Sequence, residues 1–241
     1  MGYRILFFGL AAIVWIVINL PASLMRNVID PSVATLVAPT GTIWQGSSRI
    51  VSPLGLQAEV QWDSTFLRPG ADFVLSHENS LIKGRFELGI NNHRVTVVGQ
   101  LDTATLAPLL ARYDLFVPGI FDLKATDLTM SPEGLSMTSP SELQWSGGQT
   151  RYILANRRYE ALMPPLVASI AARGDSVLEA NIKFSAEETT PLLILRLKPS
   201  GTVYLGVTRG MLRLANYPWS GEEAEGELIF EVERALTQSA S

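Results

Sequence analysis

Few side chains in this sequence can do chemistry, and their spacing argues against most of what they could do. The only histidines are His77 and His93. Joined by a carboxylate they could hold a metal ion, but each lies in or beside a turn signal and reads as an exposed loop residue. Ser80-Leu81-Ile82-Lys83 has the Ser-x-x-Lys form used for acyl transfer on a helix. Here it enters a stretch of strand periodicity, where positions three apart face opposite ways, so hydroxyl and amine cannot meet. The acidic run Glu222, Glu223, Glu225, Glu227, Glu231 and Glu233 lacks the Asp/Gly loop of a calcium site. It reads as a solvated strand face and loop, or as a surface for a basic partner. Arg151, Arg157 and Arg158 form the one basic concentration and read as solvated. No Gly-x-Gly, phosphate loop, Gly-x-Ser-x-Gly or His-Glu-x-x-His occurs. With no cysteine, disulfides and thiolate chemistry are excluded, and a net charge of −4 gives no nucleic-acid surface. The reading is therefore of a protein with no catalytic residues, no metal and no cofactor. A hydrolase would have to assemble its groups from distant positions.

Tryptophan supplies the more specific pattern. Trp44 lies in Gly41-Thr-Ile-Trp-Gln-Gly46, and Trp-x-Gly returns at Trp145-Ser146-Gly147 and Trp219-Ser220-Gly221, three of the five tryptophans. Glycines beside a bulky strand residue mark a bulge or the close approach of another backbone. Trp62 closes the next alternating stretch on its apolar side. The expected role of Gly41, Trp44, Gly46, Trp62, Trp145, Gly147, Gly148, Pro164, Pro165 and Trp219 is structural, at the openings of β units, and not ligand recognition.

The elements that carry these residues are mainly strands. Leu56, Ala58, Val60 and Trp62 alternate with Gln57, Glu59 and Gln61, which is period two. Ile82, Phe86 and Leu88, then Leu178, Ala180, Ile182 and Phe184, then Leu193, Leu195 and Leu197, and finally Leu228, Phe230 and Val232 repeat the pattern. One apolar and one wet face per strand predicts an antiparallel sheet, curled or sandwich-like. Helix spacing occurs only over 103–113 and 165–173, the second opened by Pro165. At the N-terminus, 21 uncharged residues separate Arg4 from Arg26, long enough at about 1.5 Å per residue to cross a bilayer. Leu20-Pro21-Ala22 is a poor cleavage site, so the segment reads as an uncleaved anchor. The expected layout is an anchor over 1–25, a linker over 26–38 and a β-rich domain over 39–241, the latter open to division into related halves at 39–115 and 116–220. The positive charge before the span puts the short N-terminus in the cytoplasm and the remainder in the periplasm of a bacterium.

GTIWQG, followed by VQW and FLRPG, and then LQWSGGQTRY, ALMPPL and RLANYPW, resembles the general secretion pathway protein N family of the bacterial type II secretion system. The resemblance runs from about Pro39 to Trp219. It implies a non-enzymatic, inner-membrane accessory piece facing the periplasm, with the outer-membrane secretin or the inner-membrane platform as partners. The strand pattern also fits a second reading, a β-groove module that holds lipid or another apolar ligand. The two readings differ in whether the apolar face is covered.

Overall fold

The computed structural model describes residues 15–27, 29–31, 34–64, 69–132, 134–154, 156–174 and 176–235. Strand follows strand through them: β1 (Thr35–Gly41), β2 (Gln45–Val51), β3 (Gln57–Asp63), β4 (Gly70–His77), β5 (Ser80–Leu88), β6 (His93–Asp102), β7 (Leu115–Phe116), β8 (Ile120–Ser131) and β9 (Gly134–Met137). Then come β10 (Ser141–Trp145), β11 (Gly148–Leu154), β12 (Arg157–Met163), β13 (Leu166–Ala172), β14 (Leu178–Lys183), β15 (Leu193–Leu197), β16 (Thr202–Thr208) and β17 (Leu228–Ala235). The fold is mainly β, and every pairing is antiparallel.

Fourteen strands form one sheet, ordered β1-β2-β3-β4-β5-β6-β8-β10-β13-β14-β15-β16-β17 with β9 beside β8. A second sheet of three strands runs β12-β11-β7. The large sheet passes without interruption across residue 115, so it does not part at the boundary between the two halves named above. Its neighbours are mostly neighbours in sequence, as short turns dictate. The Lys198-Pro-Ser-Gly201 turn is typical, with the Lys198 carbonyl accepting from the Gly201 N–H at 2.9 Å.

Helical segments are short. Residues 103–113 are helical as expected, in pieces of 3₁₀ and α type, capped by Asp102, whose side chain accepts from the Ala104 N–H. Residues 165–173 are not helical: β13 occupies Leu166–Ala172. It lies between β10 and β14, with both faces at least half-covered, so its apolar residues lose the period-two signature of a one-sided strand. Three further segments are helical, residues 15–18, Ala22–Asn27 and Arg209–Leu214, the last capped by the Thr208 hydroxyl on the Met211 N–H. β1 begins inside the expected linker. Of the anchor expected over 1–25, residues 1–14 lie outside the described residues. Among the described residues no helix is long and apolar enough to cross a membrane.

Candidate functional site

Antiparallel register places paired residues on one face. A single row of partners therefore crosses eleven strands: Val60, Leu75, Ile82, Gly99, Leu123, Leu143, Ala168, Ile182, Leu193, Val207 and Phe230. Ten steps at about 4.8 Å give a row about 48 Å long, and glycine is its one residue without an apolar side chain. Trp62, Phe73, Phe86, Val95 and Val97 lie on the same side. The opposite face carries the ion pairs, beside the exposed Leu81 and Val98. Arg85 pairs with Asp72 and Glu87 at 2.9 and 3.0 Å, and the Thr96 hydroxyl donates to Asp127. Glu179, 5% exposed, is held by Arg173 at 2.8 Å, Arg196 at 2.7 Å and Asn181 at 3.0 Å. Burial pushes its carboxyl up, but the hydrogen bonds of Arg196 and Asn181 and the charge of Arg173 outweigh that, and its pKa is lowered.

Among the described residues, a core cluster covers one end of the apolar face. β10 and β13 pair from Ser141↔Ile170 to Trp145↔Leu166, and β11 and β12 continue the same ribbon from Gly148↔Met163. Ser146-Gly147 and Pro164-Pro165 are the two sides of its bend. Gly147 has φ of +78°, and a Cβ there would stand 2.6 Å from the Met163 carbonyl oxygen and 2.8 Å from the Pro165 nitrogen, so only glycine fits the corner. Beyond the bend the ribbon folds over the sheet. Ala161, Met163 and Tyr152 pack with Trp145, Leu166 and Ile182, joined by Leu192, Met211, Leu214 and Ala215 around the helix Arg209–Leu214. Ring contacts tie this cover to the last strand: Tyr152 stacked on Tyr159 (5.2 Å), Tyr159 tilted against Tyr217 (5.4 Å), and Tyr217 and Trp219 edge-on to Phe230 (6.2 and 5.7 Å). Among the described residues, β1 to β6 contribute none of the side chains of this cluster. The main contacts of β2 to β5 are with the strands on either side, and β1 adds the turn Ala22–Asn27. On this face Val60, Leu75 and Ile82 stay partly exposed, and none of them belongs to the core cluster of the covered end.

The motif residues fall into place on this frame. Trp62 and Trp145 are the matched pair: each ends a strand on the apolar face, is buried (7% and 8%), and donates its indole N–H to a backbone carbonyl, Thr42 at 3.2 Å and Pro118 at 2.8 Å. Each also has a phenylalanine partner in register, Phe73 and Phe121. Gly46 lies beneath the Trp62 ring, where a Cβ would meet Cζ2 at 2.6 Å. Gly41 is its partner across β1 and β2, and Gly148 lies against Pro118. Trp44 differs: it sits in the β1–β2 turn and donates Nε1 to the Val17 carbonyl at 2.8 Å. With the Ile43 N–H on the Leu20 carbonyl (2.9 Å) and the Pro21–Thr42 bridge, it pins the N-terminal segment to the sheet. Trp219 is in no strand, and its Nε1 donates to Glu223 at 2.8 Å. The three Trp-x-Gly motifs thus do three different jobs, and the echo of Trp145 is Trp62.

The remaining candidates are set apart. His77 ends β4 and His93 opens β6, both half-buried strand residues and not exposed loops. They flank opposite ends of the nine-residue β5, a span of about 27 Å, too far to share an ion. Ser80 is buried and shares a hydrogen bond with Thr105 at 2.7 Å, while Lys83 is exposed on the other face. Among the described residues no cluster of three metal-ligating side chains occurs. Of the late glutamates, Glu231 is partnered by the Tyr204 hydroxyl, Glu233 by Lys198, Glu225 by Arg213 and Glu223 by the Trp219 indole. What the sequence reading missed is a cleft of about 530 Å³ between the helical stretch 103–113, β7 and β11, with Arg151 and Arg158 on its wall. Compared with known proteins, the chain matches no family model, no curated protein and no solved structure.

Proposed function

We propose that the protein is a non-enzymatic β-groove module whose uncovered apolar face takes the acyl chains of lipids. The observation that carries this is the partly exposed stretch of the long apolar row over β3 to β6, which lies outside the core cluster. A continuous row of Val, Leu and Ile has no donor or acceptor with which to satisfy a peptide backbone, and an acyl chain needs none. Burying such a chain against the face at about 25 cal/mol per Å² supplies the driving force. The segment over 1–25, read as an anchor in the bacterial inner membrane with the sheet in the periplasm, would set the groove beside its lipid source. The test is native mass spectrometry of the full chain released from membranes in mild detergent. Phospholipid adducts are expected, and Ile82→Asn should diminish them while the circular-dichroism spectrum is retained. A folded wild-type chain that never carries lipid defeats the reading.

A second reading, an accessory component of the type II secretion system, is favoured by the motifs shared with the secretion protein N family and by the end of the sheet. β17 is the last strand, its outer edge pairs with no described strand, and Glu231 and Glu233 lie along it. Such an edge suits β-augmentation by another secretion-system protein, the secretin or the inner-membrane platform. A photo-crosslinker at Glu231 should capture one of them in cells, and capture of none would remove this role.

A further inference from the structure

The cleft beside the helical stretch 103–113 has the makeup of a site for one kind of ligand. Ala107, Leu110, Phe116 and Val117 give it an apolar wall, and its volume of about 530 Å³ lies in the range of small-ligand pockets. Arg151 pairs in register with Phe116, its guanidinium carbon 4.3 Å from the ring centroid. Arg158 faces Ile153 across β11 and β12. Neither guanidinium forms an ion pair with a described carboxylate. Glu160, opposite Arg151, accepts from Gln149 at 3.2 Å instead. Two acids share the cleft. Asp102 is committed to the Ala104 N–H at 2.9 Å and to Asn79 at 3.2 Å, so Asp114 alone stands against two cations.

We propose that this cleft binds an amphiphile with a single anionic head group, its chain along the wall of Phe116 and Leu110 and its head between Arg151 and Arg158. Guanidinium forks match carboxylate and phosphate oxygens geometrically, and an apolar body accounts for a wall that a bare anion would not need. The site is separate from the open face of β3 to β6 and does not rest on lipid being held there. The full chain in zwitterionic nanodiscs would be titrated with a fluorescent long-chain carboxylate, with the alcohol of the same chain and with the corresponding monophosphate. Saturable binding of the two anions well above the alcohol is expected, the better of them naming the head group. Arg151→Gln with Arg158→Gln should weaken the anions about tenfold or more and leave the alcohol unchanged. Arg158→Gln alone keeps the Arg151–Phe116 contact and serves if the double variant loses its fold. Ala107→Trp, which fills the cleft, should abolish the site, whereas Ile82→Asn on the open face should not. Equal affinity for anion and alcohol, unchanged affinity in the arginine variants, or full binding by Ala107→Trp would overturn the proposal.

Discussion

Ile82 and Ile182 stand on the same row of the same sheet, one hundred positions apart, yet they are used differently. Ile182 lies under a bent ribbon, a short helix and a chain of stacked rings, and it packs against a closed core. Ile82 is part-exposed like Ile182 but belongs to no core cluster among the described residues. Strand alternation is equally regular at both. The difference lies in what the chain does between β10 and β13, where a glycine and two prolines bend one hairpin back over the face that the other strands leave bare. Identical periodicity therefore specifies which face is apolar, while the bend decides which part of it becomes core.

The largest effect should come from the covered half. Trp145→Ala removes a buried ring and its bond to the Pro118 carbonyl, and about 4 kcal/mol of stability should be lost. Ile82→Ala removes a side chain already half-open and should cost about 1 kcal/mol. Chemical denaturation of the two variants checks this, and equal costs would break the contrast. Next in size is Glu179→Gln, on the polar face of the covered half, with an expected loss of about 2 kcal/mol at neutral pH. Because the carboxyl's folded pKa is lowered, its contribution is fully present above the ordinary glutamate range near pH ~4. It is lost as pH falls through the folded value. The melting-temperature gap between wild type and variant should therefore close in acid, and a gap constant with pH would count against the ion network. Smallest is Trp44→Phe in the open half, which gives up one hydrogen bond to the Val17 carbonyl at a cost of about 1 kcal/mol. Faster proteolysis near residues 26–34, with the sheet's denaturation midpoint hardly changed, would sharpen its role as a clamp.

Strands with one wet face were legible because water imposes the alternation: β3, β5, β14 and β15 lie where the sequence pattern puts them. β13 was not, since a central strand covered on both sides presents Leu166, Val167 and Ile170 at spacings a helix also gives, behind a proline that suits a helix start. The helix Arg209–Leu214 escaped notice because six residues hold less than two full periods. Of the tryptophans, burial of Trp62 and Trp145 was readable from their strand ends. The union of LQWSGG with MPP at one corner was not, because it depends on the pairing of β10 with β13. The arginine cleft was hidden for the same reason: Arg151 and Phe116 are joined by register and not by any spacing in the chain.

That corner also bears on how the molecule comes to be folded. From β1 to β6 and from β13 to β16, each new strand needs only the one just made, so these stretches can zip up locally with little loop-closure entropy at any step. β10 must instead wait for β13, after twenty intervening residues have formed their own ribbon. The slow events in refolding should therefore include the seating of that ribbon on Trp145, a long-range step like the closing of β17 on β16 across residues 209–227.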